Sequence, residues 1–257
     1  MRRALIVVGK APRPGSAKTR LVPPLSSEQA ARLYRGFLLD AVHLALQVGW
    51  EQTTVVHPPG DGELLKALLP RRRTLGLLEQ ERPGLGHALA YAFQYHFAAG
   101  YDVVTLIGSD NPTLSPEPID AASAALQDGH DLAIGPSADG GYYLIGMCQP
   151  HLEVFDRIEW STSRVYAQTL DRAGRLGLQV RPVSEWYDVD EPADLDHLQR
   201  DLALSLPQVA PNTRAVLDGL SLSRQAAPAL SACGQSAQRT REQSARPQVG
   251  PGRGRRT

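Results

Sequence analysis

Lysine is almost missing from this chain: Lys10, Lys18 and Lys66 are the only three in 257 residues. Cysteine is as scarce. Cys148 and Cys233 lie far apart and belong to no ligand-spaced cluster, which argues against both a disulfide framework and a cysteine zinc site. No apolar run approaches the roughly 20 residues needed to cross a bilayer, so no membrane partner is expected. The opening Met1–Val8 puts two arginines ahead of apolar residues, but Gly9 and Lys10 end the run and no cleavage pattern follows. It therefore reads as a core strand of a cytoplasmic protein rather than a signal peptide. Gly-x-Ser-x-Gly, His-Glu-x-x-His and Gly-x-x-x-x-Gly-Lys-[Ser/Thr] are all absent, so no nucleophile elbow, zincin helix or P-loop carries the chemistry. No internal repeat is visible either.

With 42% hydrophobic and 21% charged residues, the chain suits one globular domain with a sizeable core. Its net charge of zero hides an asymmetry. From Pro207 onward there are eight arginines and two acids, a balance of +6, leaving 19 basic and 25 acidic residues before it, −6. The segment after Pro207 has no aromatic residue and ends Gly-Pro-Gly-Arg-Gly-Arg-Arg-Thr. Such a composition buries too little apolar surface to offset its ordering entropy. The expectation is a domain over residues 1–205 and a basic, disordered tail over 206–257, with one helical turn around 215–222. A solvated, idle tail is favoured over contact with nucleic acid or acidic surfaces, and no specific nucleic acid is expected.

Two of the three lysines fall in one stretch, Lys10-Ala-Pro-Arg-Pro-Gly-Ser-Ala-Lys-Thr-Arg-Leu21, directly after the apolar run Ala4–Val8. A loop leaving the C-terminal end of a buried strand lies where open α/β sheets bind ligands. Arg13 and Arg20 add cations, Pro12 and Pro14 stiffen the loop, and Gly15 permits close backbone approach. Backbone N–H groups of Gly15, Ser16 and Ala17, with Lys18 as a point charge and Arg20 as a fork, suit a phosphate chain. A plain basic surface loop remains the other reading.

The rest of the chain alternates strand and helix. Ser26 and Gln29 form a capping box ahead of a helix to about Val48, with Ala30, Leu33, Phe37, Ala41 and Leu44 on one face. Strands follow at Thr53–Val56, Thr74–Leu78, Val103–Ile107, Asp131–Ile134, Tyr142–Ile145 and Leu178–Pro182. The intervening helices are Gly60–Leu69, one opened by Pro83–Gly86 and ending near Ala98, one from Ser115-Pro116 to Gln127, Ser161–Ala173 and Glu191–Leu204. This alternation predicts a mainly parallel sheet covered on both faces. The Gly140-Gly141 turn predicts one antiparallel strand within it.

Three acidic sites fall on loops. Asp110 follows an apolar strand in Gly-Ser-Asp-Asn-Pro, where a carboxylate can hold Mg²⁺ together with substrate phosphates or form a turn. Asp188 and Asp190, two apart, project from one face if extended; a second metal ligand and a cap for the last helix are both open for Asp190. Asp139, before Gly140-Gly141, also suits a turn. His87 at a helix start faces either phosphate or solvent. Tyr142 and Tyr143 point to opposite sides of a strand, and Trp160 lines an acceptor pocket or packs against the next helix.

Five segments in order, Ala11–Leu21, Ile107–Pro112, Gly135–Gly146, Trp160–Thr162 and Asp188–Leu195, resemble the DUF2064 family of the glycosyltransferase-A (GT-A) superfamily. Members are often labelled glycosyltransferases, some of them for arsenosugar biosynthesis, and the family is similar to the 2-phospholactate and molybdenum cofactor guanylyltransferases. The resemblance covers residues 4–200. It implies that Lys18 and Arg20 meet nucleotide phosphates, that Asp110 binds metal, and that Asp190 lies where relatives supply a second metal ligand. Asn111 stands where relatives commonly have cysteine, and Pro83-Gly-Leu-Gly86 where they commonly have Gly-Asp-Leu-Gly.

The resulting expectation is a three-layer, Rossmann-like α/β fold of GT-A type with a mixed, mainly parallel sheet. It would carry a transferase dependent on Mg²⁺ or Mn²⁺ and using a nucleoside triphosphate or nucleotide sugar, by nucleotidyl or glycosyl transfer to a small-molecule acceptor. Lys18 and Asp110 are the candidate catalytic residues. Lys10, Pro14, Gly15, Ser16, Lys18, Arg20, Gly86 and Ser109 are the nucleotide set, and Asp110, Asp188 and Asp190 the metal set. Asp139, Gly141, Tyr142, Tyr143 and Trp160 are the acceptor set. The alternative is a nucleotide-binding regulatory or accessory protein without turnover, since no general base is evident and Gly84 leaves the acidic position empty.

Overall fold

The computed structural model describes residues 1–225; the later part of the expected tail, residues 226–257, lies outside the described residues. Seven strands form one sheet in the order β3-β2-β1-β4-β6-β5-β7. They are β1 (Arg3–Val8), β2 (Gln52–His57), β3 (Leu75–Glu79), β4 (Val103–Gly108), β5 (Leu132–Pro136), β6 (Tyr142–Met147) and β7 (Val180–Pro182). The first three pair in parallel, as do β1 with β4 and β5 with β7. Strand β6 alone runs the other way, antiparallel to β4 and to β5, which is the mixed sheet expected from the Gly140-Gly141 turn.

The helices are α1 (Ser27–Val48), α2 (Gly62–Leu68), α3 (Leu85–Ala98), α4 (Glu117–Gln127), α5 (Val165–Arg175), α6 (Pro192–Leu204) and α7 (Pro211–Gln225). They cover both faces of the sheet, and the strand residues sort by alternation. Leu5 and Val7 join α1, α2 and α4 in one core. Ile6, Val104 and Leu106 join α3, α5 and Phe155 in another. Ala4 through Val7 are fully buried, the continuous apolar run of a strand covered on both sides. A third cluster places Ala17 and Leu21 of the basic loop against Leu33, Tyr34 and Phe37 of α1 and Leu195 and Leu198 of α6. The loop is thus bolted to the body by its own apolar residues. Among the described residues, no helix is long and apolar enough to cross a membrane.

Local chemistry sets most boundaries as read from sequence. Ser26 and Gln29 form the reciprocal capping box of α1, and Gly49 closes that helix in the left-handed region at φ 72°. Two starts differ. Helix α4 begins at Glu117, with the Pro116 carbonyl accepting from Ile119 and Asp120 and no side chain capping its start. Helix α5 begins at Val165, four residues late, because Ser161 is held at φ 64°, outside helical geometry.

The larger correction concerns the segment after residue 205. In place of chain with a single turn, α7 spans Pro211–Gln225 and the compact unit reaches Leu220. Apolar packing is one reason: Ala210 and Leu220 are buried in the third cluster, with Val209, Val216 and Leu217 against it. Asp40, in the middle of α1 and only 5% exposed, is the other. Its carboxylate accepts from Asn212 N (3.0 Å), Asn212 Nδ2 (2.8 Å) and Thr213 N (2.8 Å). It caps α7 from 172 residues away, satisfying N–H groups that the helix cannot bond itself. Asp40→Ala is expected to lower stability by about 1–3 kcal/mol in urea unfolding and to admit proteolysis near residues 205–215. An unchanged midpoint and cleavage pattern would contradict this capping role.

Candidate functional site

Strand order reverses between β1 and β4: β2 and β3 lie on one side, and β6, β5 and β7 on the other. The crevice beyond the C-terminal ends of β1 and β4 is therefore the switch point where open α/β sheets take ligands. The loop 9–18 leaves β1 there, Ser109–Thr113 leaves β4, and Tyr187–Glu191 arrives ahead of α6.

These three loops meet at Lys18. Its Nζ lies 2.6 Å from Asp110 Oδ1 and 2.7 Å from Asp190 Oδ1. The Lys18 side chain is 4% exposed, whereas the two carboxylates are about two-fifths exposed at 39% and 40%. Burial alone would push the ammonium's pKa down, but the two carboxylates outweigh it and the net shift is upward. The ammonium also lies 5.6 Å from the Phe37 ring centre and 6.0 Å from that of Tyr34, inside the range of cation–π attraction. Lys18 occupies the left-handed region at φ 50°, ψ 44°, a conformation a non-glycine residue keeps only when its surroundings enforce it.

Lys10, Ser16, Lys18, Thr19, Arg20, Tyr34, Asp110 and Asp190 line one hollow of about 160 Å³. It shares Arg20, Asp110 and Asp190 with a larger cavity of about 500 Å³ that runs past Ser109, Asp139, Gly141, Tyr142, Tyr143, Trp160 and Asp188. Cations from the N-terminal loop and carboxylates from distant loops thus face one connected space. A separate cavity of about 440 Å³ is lined by Gly84, Gly86, His87, Arg157 and Trp160.

Some expected members of the site take other places. Ser16 and Ala17 donate their N–H groups to the Arg13 carbonyl at 3.2 Å, so they close a turn rather than aim at an anion. Pro14 and Gly15 lie outside the hollow. Arg13 is not a free cation: its guanidinium bonds to Asp61 and Gly60. Gly86 is also outside the hollow. A Cβ there would come within 2.5 Å of Trp160 Nε1, so glycine is what lets the indole pack against α3. Asp139 accepts from Gly141 N at 2.8 Å, the turn alternative, while its side of the turn still faces the larger cavity.

Asp188 is withdrawn from the hollow. Asn111 Nδ2 donates to its Oδ1 at 2.7 Å, and the Ser137 hydroxyl makes a short bond to its Oδ2. Burial pushes its carboxyl up to about 6, with the nearby Asp110 and Asp139 charges adding to the effect, while the two hydrogen bonds oppose it. Tyr143 is 2% exposed and donates its hydroxyl to the Ser184 carbonyl at 2.7 Å; burial pushes that phenol up to about 12. Tyr142 is half-buried and meets Trp160 edge-on with ring centres 6.4 Å apart. Gly140, at φ 90°, is pressed so tightly on Ser163 that a Cβ would sit 2.2 Å from its carbonyl oxygen.

Three bracing residues escaped the sequence reading. The Tyr34 hydroxyl accepts from Lys10 N at 3.0 Å and bonds Ser109 Oγ at 2.9 Å, tying the basic loop to the residue before Asp110. Burial pushes its phenol well above the usual range. Asn111 Nδ2 also donates to the Tyr187 carbonyl at 2.7 Å, and Val189 N donates to the Asp110 carbonyl at 3.0 Å, so the two acidic loops are laced together. Asp61 accepts from Ala11 N at 2.7 Å. A hydroxyl on the apolar stripe of α1 was the one readable sign of Tyr34; the others depend on pairings far apart in sequence.

A family model described as an uncharacterized protein conserved in bacteria (DUF2064) matches residues 40–162. The chain belongs to this family, within the GT-A-like nucleotidyltransferase group, and at that coarse level it is a transferase. It is 30% identical over 199 residues to phosphoenolpyruvate guanylyltransferase of Sphaerobacter thermophilus, covering 75% of this chain and 91% of that relative. A solved structure from Desulfovibrio desulfuricans G20, described as a nucleotide-diphospho-sugar transferase, is 34% identical with a TM-score of 0.78, covering 88% of this chain and 98% of that one. At the level of fold alone, 4-diphosphocytidyl-2C-methyl-D-erythritol synthase of Anaerococcus prevotii gives a TM-score of 0.53 at 12% identity, covering 79% and 96%.

Removing the buried ammonium leaves two carboxylates facing each other. Lys18→Met is expected to cost about 1–3 kcal/mol, less than the loss of a fully buried pair because both acids reach solvent. Adding Asp110→Asn to Lys18→Met should recover part of that loss in urea unfolding. Strictly additive losses would mean that the three groups do not interact.

Proposed function

We propose that the protein is a divalent-metal-dependent nucleotidyltransferase that transfers a nucleoside monophosphate from a nucleoside triphosphate to a small anionic acceptor, releasing pyrophosphate. The observation that carries this reading is the meeting of Lys18 with Asp110 and Asp190 in a hollow also faced by Lys10 and Arg20. Three cations suit a polyphosphate, and two carboxylates beside them suit the hard cation that accompanies it.

The donor set fits Mg²⁺ or Mn²⁺. Asp110 and Asp190 each keep substantial exposure toward the hollow. Among the described residues, no three acidic, histidine or cysteine side chains form a complete metal cage. Mg²⁺ is characteristically held by one or two carboxylates plus substrate phosphates, so a two-carboxylate site agrees with its chemistry. When bound there, the ion would neutralise charge on the triphosphate. Asp188 supports this site from behind, through Asn111 and Ser137.

The chain's own residues divide the remaining work. Lys10, Lys18 and Arg20 hold the β- and γ-phosphates and stabilise the negative charge that develops on pyrophosphate as it leaves. Ser109 and Tyr34 keep the two loops at fixed separation. The acceptor enters through the larger cavity past Tyr142, Gly141 and Trp160. One of its oxygens forms a bond to the α-phosphorus as the bond to the bridging oxygen breaks. The acceptor of the Sphaerobacter relative, named in that enzyme's own name, makes phosphoenolpyruvate the first acceptor to try and GTP the first donor.

Glycosyl transfer from a nucleotide sugar is the second reading, favoured by the description of the Desulfovibrio structure; the two differ in product. Purified protein with GTP, Mg²⁺ and phosphoenolpyruvate is expected to release pyrophosphate. Asp110→Asn and Asp190→Asn should each lower the rate by roughly 100-fold or more, and a chelator should abolish it. Release of nucleoside diphosphate from a nucleotide sugar would establish glycosyl transfer instead. Tight binding of nucleotides across a donor and acceptor panel without any product would establish a regulatory protein.

A further inference from the structure

Asp61 lies at the N-terminus of α2, where Leu65 N donates to its carbonyl at 3.0 Å. An aspartate in that place ordinarily turns its carboxylate onto its own helix's free N–H groups. This one does not. Its Oδ2 accepts the Ala11 N–H at 2.7 Å, and its Oδ1 accepts from Arg13 Nε at 3.2 Å and Nη2 at 2.9 Å. The helix gives up a cap, and the basic loop gains a charge-assisted clamp across 50 residues of sequence.

The Ala11 half of the clamp is well protected. The Asp61 side chain is 12% exposed and Ala11 is 1% exposed, so that bond competes little with water, whereas the Arg13 side chain is 48% exposed and its ion pair is partly screened. Its effect continues down the loop. Arg13, held by Asp61, offers its carbonyl to Ser16 N and Ala17 N, and that turn delivers the chain to Lys18. Lys10 Nζ in turn bonds the Ser16 carbonyl at 2.8 Å.

We propose that Asp61 is a positioning residue for the triphosphate grip: it touches no substrate, but sets the course of the loop that presents Lys10 and Lys18. It also holds Arg13 out of the phosphate-binding set. This role rests on the nucleotide reading given above.

The test uses Mg²⁺ with inorganic tripolyphosphate, a probe without base or sugar, and calorimetry on the full chain. Asp61→Ala is expected to weaken binding roughly tenfold to a hundredfold. Asp61→Asn keeps an acceptor for the Ala11 N–H while losing the ion pair with Arg13, so it should fold normally and fall between wild type and Asp61→Ala. In turnover, Asp61→Asn should raise the KM for the nucleoside triphosphate severalfold with kcat within about twofold, a split that loss of global stability does not produce. Tight binding by wild type and both variants alike would overturn the role of Asp61 alone. Failure of folded wild type to bind the probe would overturn the nucleotide reading, and this role with it.

Discussion

One ammonium group holds together three loops that would otherwise part. Lys18 Nζ is almost wholly buried and lies within 2.7 Å of a carboxylate oxygen on each of two acidic loops. Without it, Asp110 and Asp190 would repel each other at the mouth of the sheet. With it, both carboxylates face one shared ammonium. The left-handed backbone at Lys18 shows the same demand from the other side, because the loop bends unfavourably to bring its charge inward. The apolar anchors Ala17 and Leu21, packed on α1 and α6, make that bend sustainable.

The surrounding hydrogen bonds carry the geometry outward. Tyr34 links the start of the basic loop to Ser109, and Asn111 links the end of β4 to Tyr187 and Asp188. Each acts between segments that the sheet alone brings together. The site is thus set by β1 and β4 lying side by side in parallel, with their C-terminal ends level, and by β6 closing the far wall through its antiparallel turn. Local charge then acts on a frame that packing has already fixed.

Much of this was legible beforehand, for identifiable reasons. Strands announced themselves as short apolar runs, and α1 by a capping box and a one-sided apolar stripe. The crowding of two of three lysines into one loop, and the aspartates on loops at 110 and 190, marked Lys18, Asp110 and Asp190, which do meet; Asp188, expected beside them, turns to Asn111 and Ser137. What escaped shares a single cause. Asp40 caps α7, Asp61 clamps Ala11, and Asn111 braces Asp188 across 50 to 172 residues of sequence, where neither periodicity nor propensity can act. The composition after residue 205 underestimated what a few aliphatic residues can bury: Ala210 and Leu220 enter the third cluster with Val209, Val216 and Leu217 against it, and a buried aspartate on α1 caps the helix they ride on. Gly86 was readable as a helix-start glycine, but not as the seat of an indole.

The proposed function requires a metal and a polyphosphate to bind together where Lys18, Asp110 and Asp190 meet. It is tested most directly by a crystal structure of the protein grown with GTP and Mn²⁺, with the ion located by anomalous scattering. The account predicts manganese within bonding distance of both Asp110 and Asp190, bridged to phosphate oxygens that lie against Lys18 and Arg20. Nucleotide bound with its ion in the cavity beyond Trp160, and Lys18 still closed on both carboxylates, would contradict it.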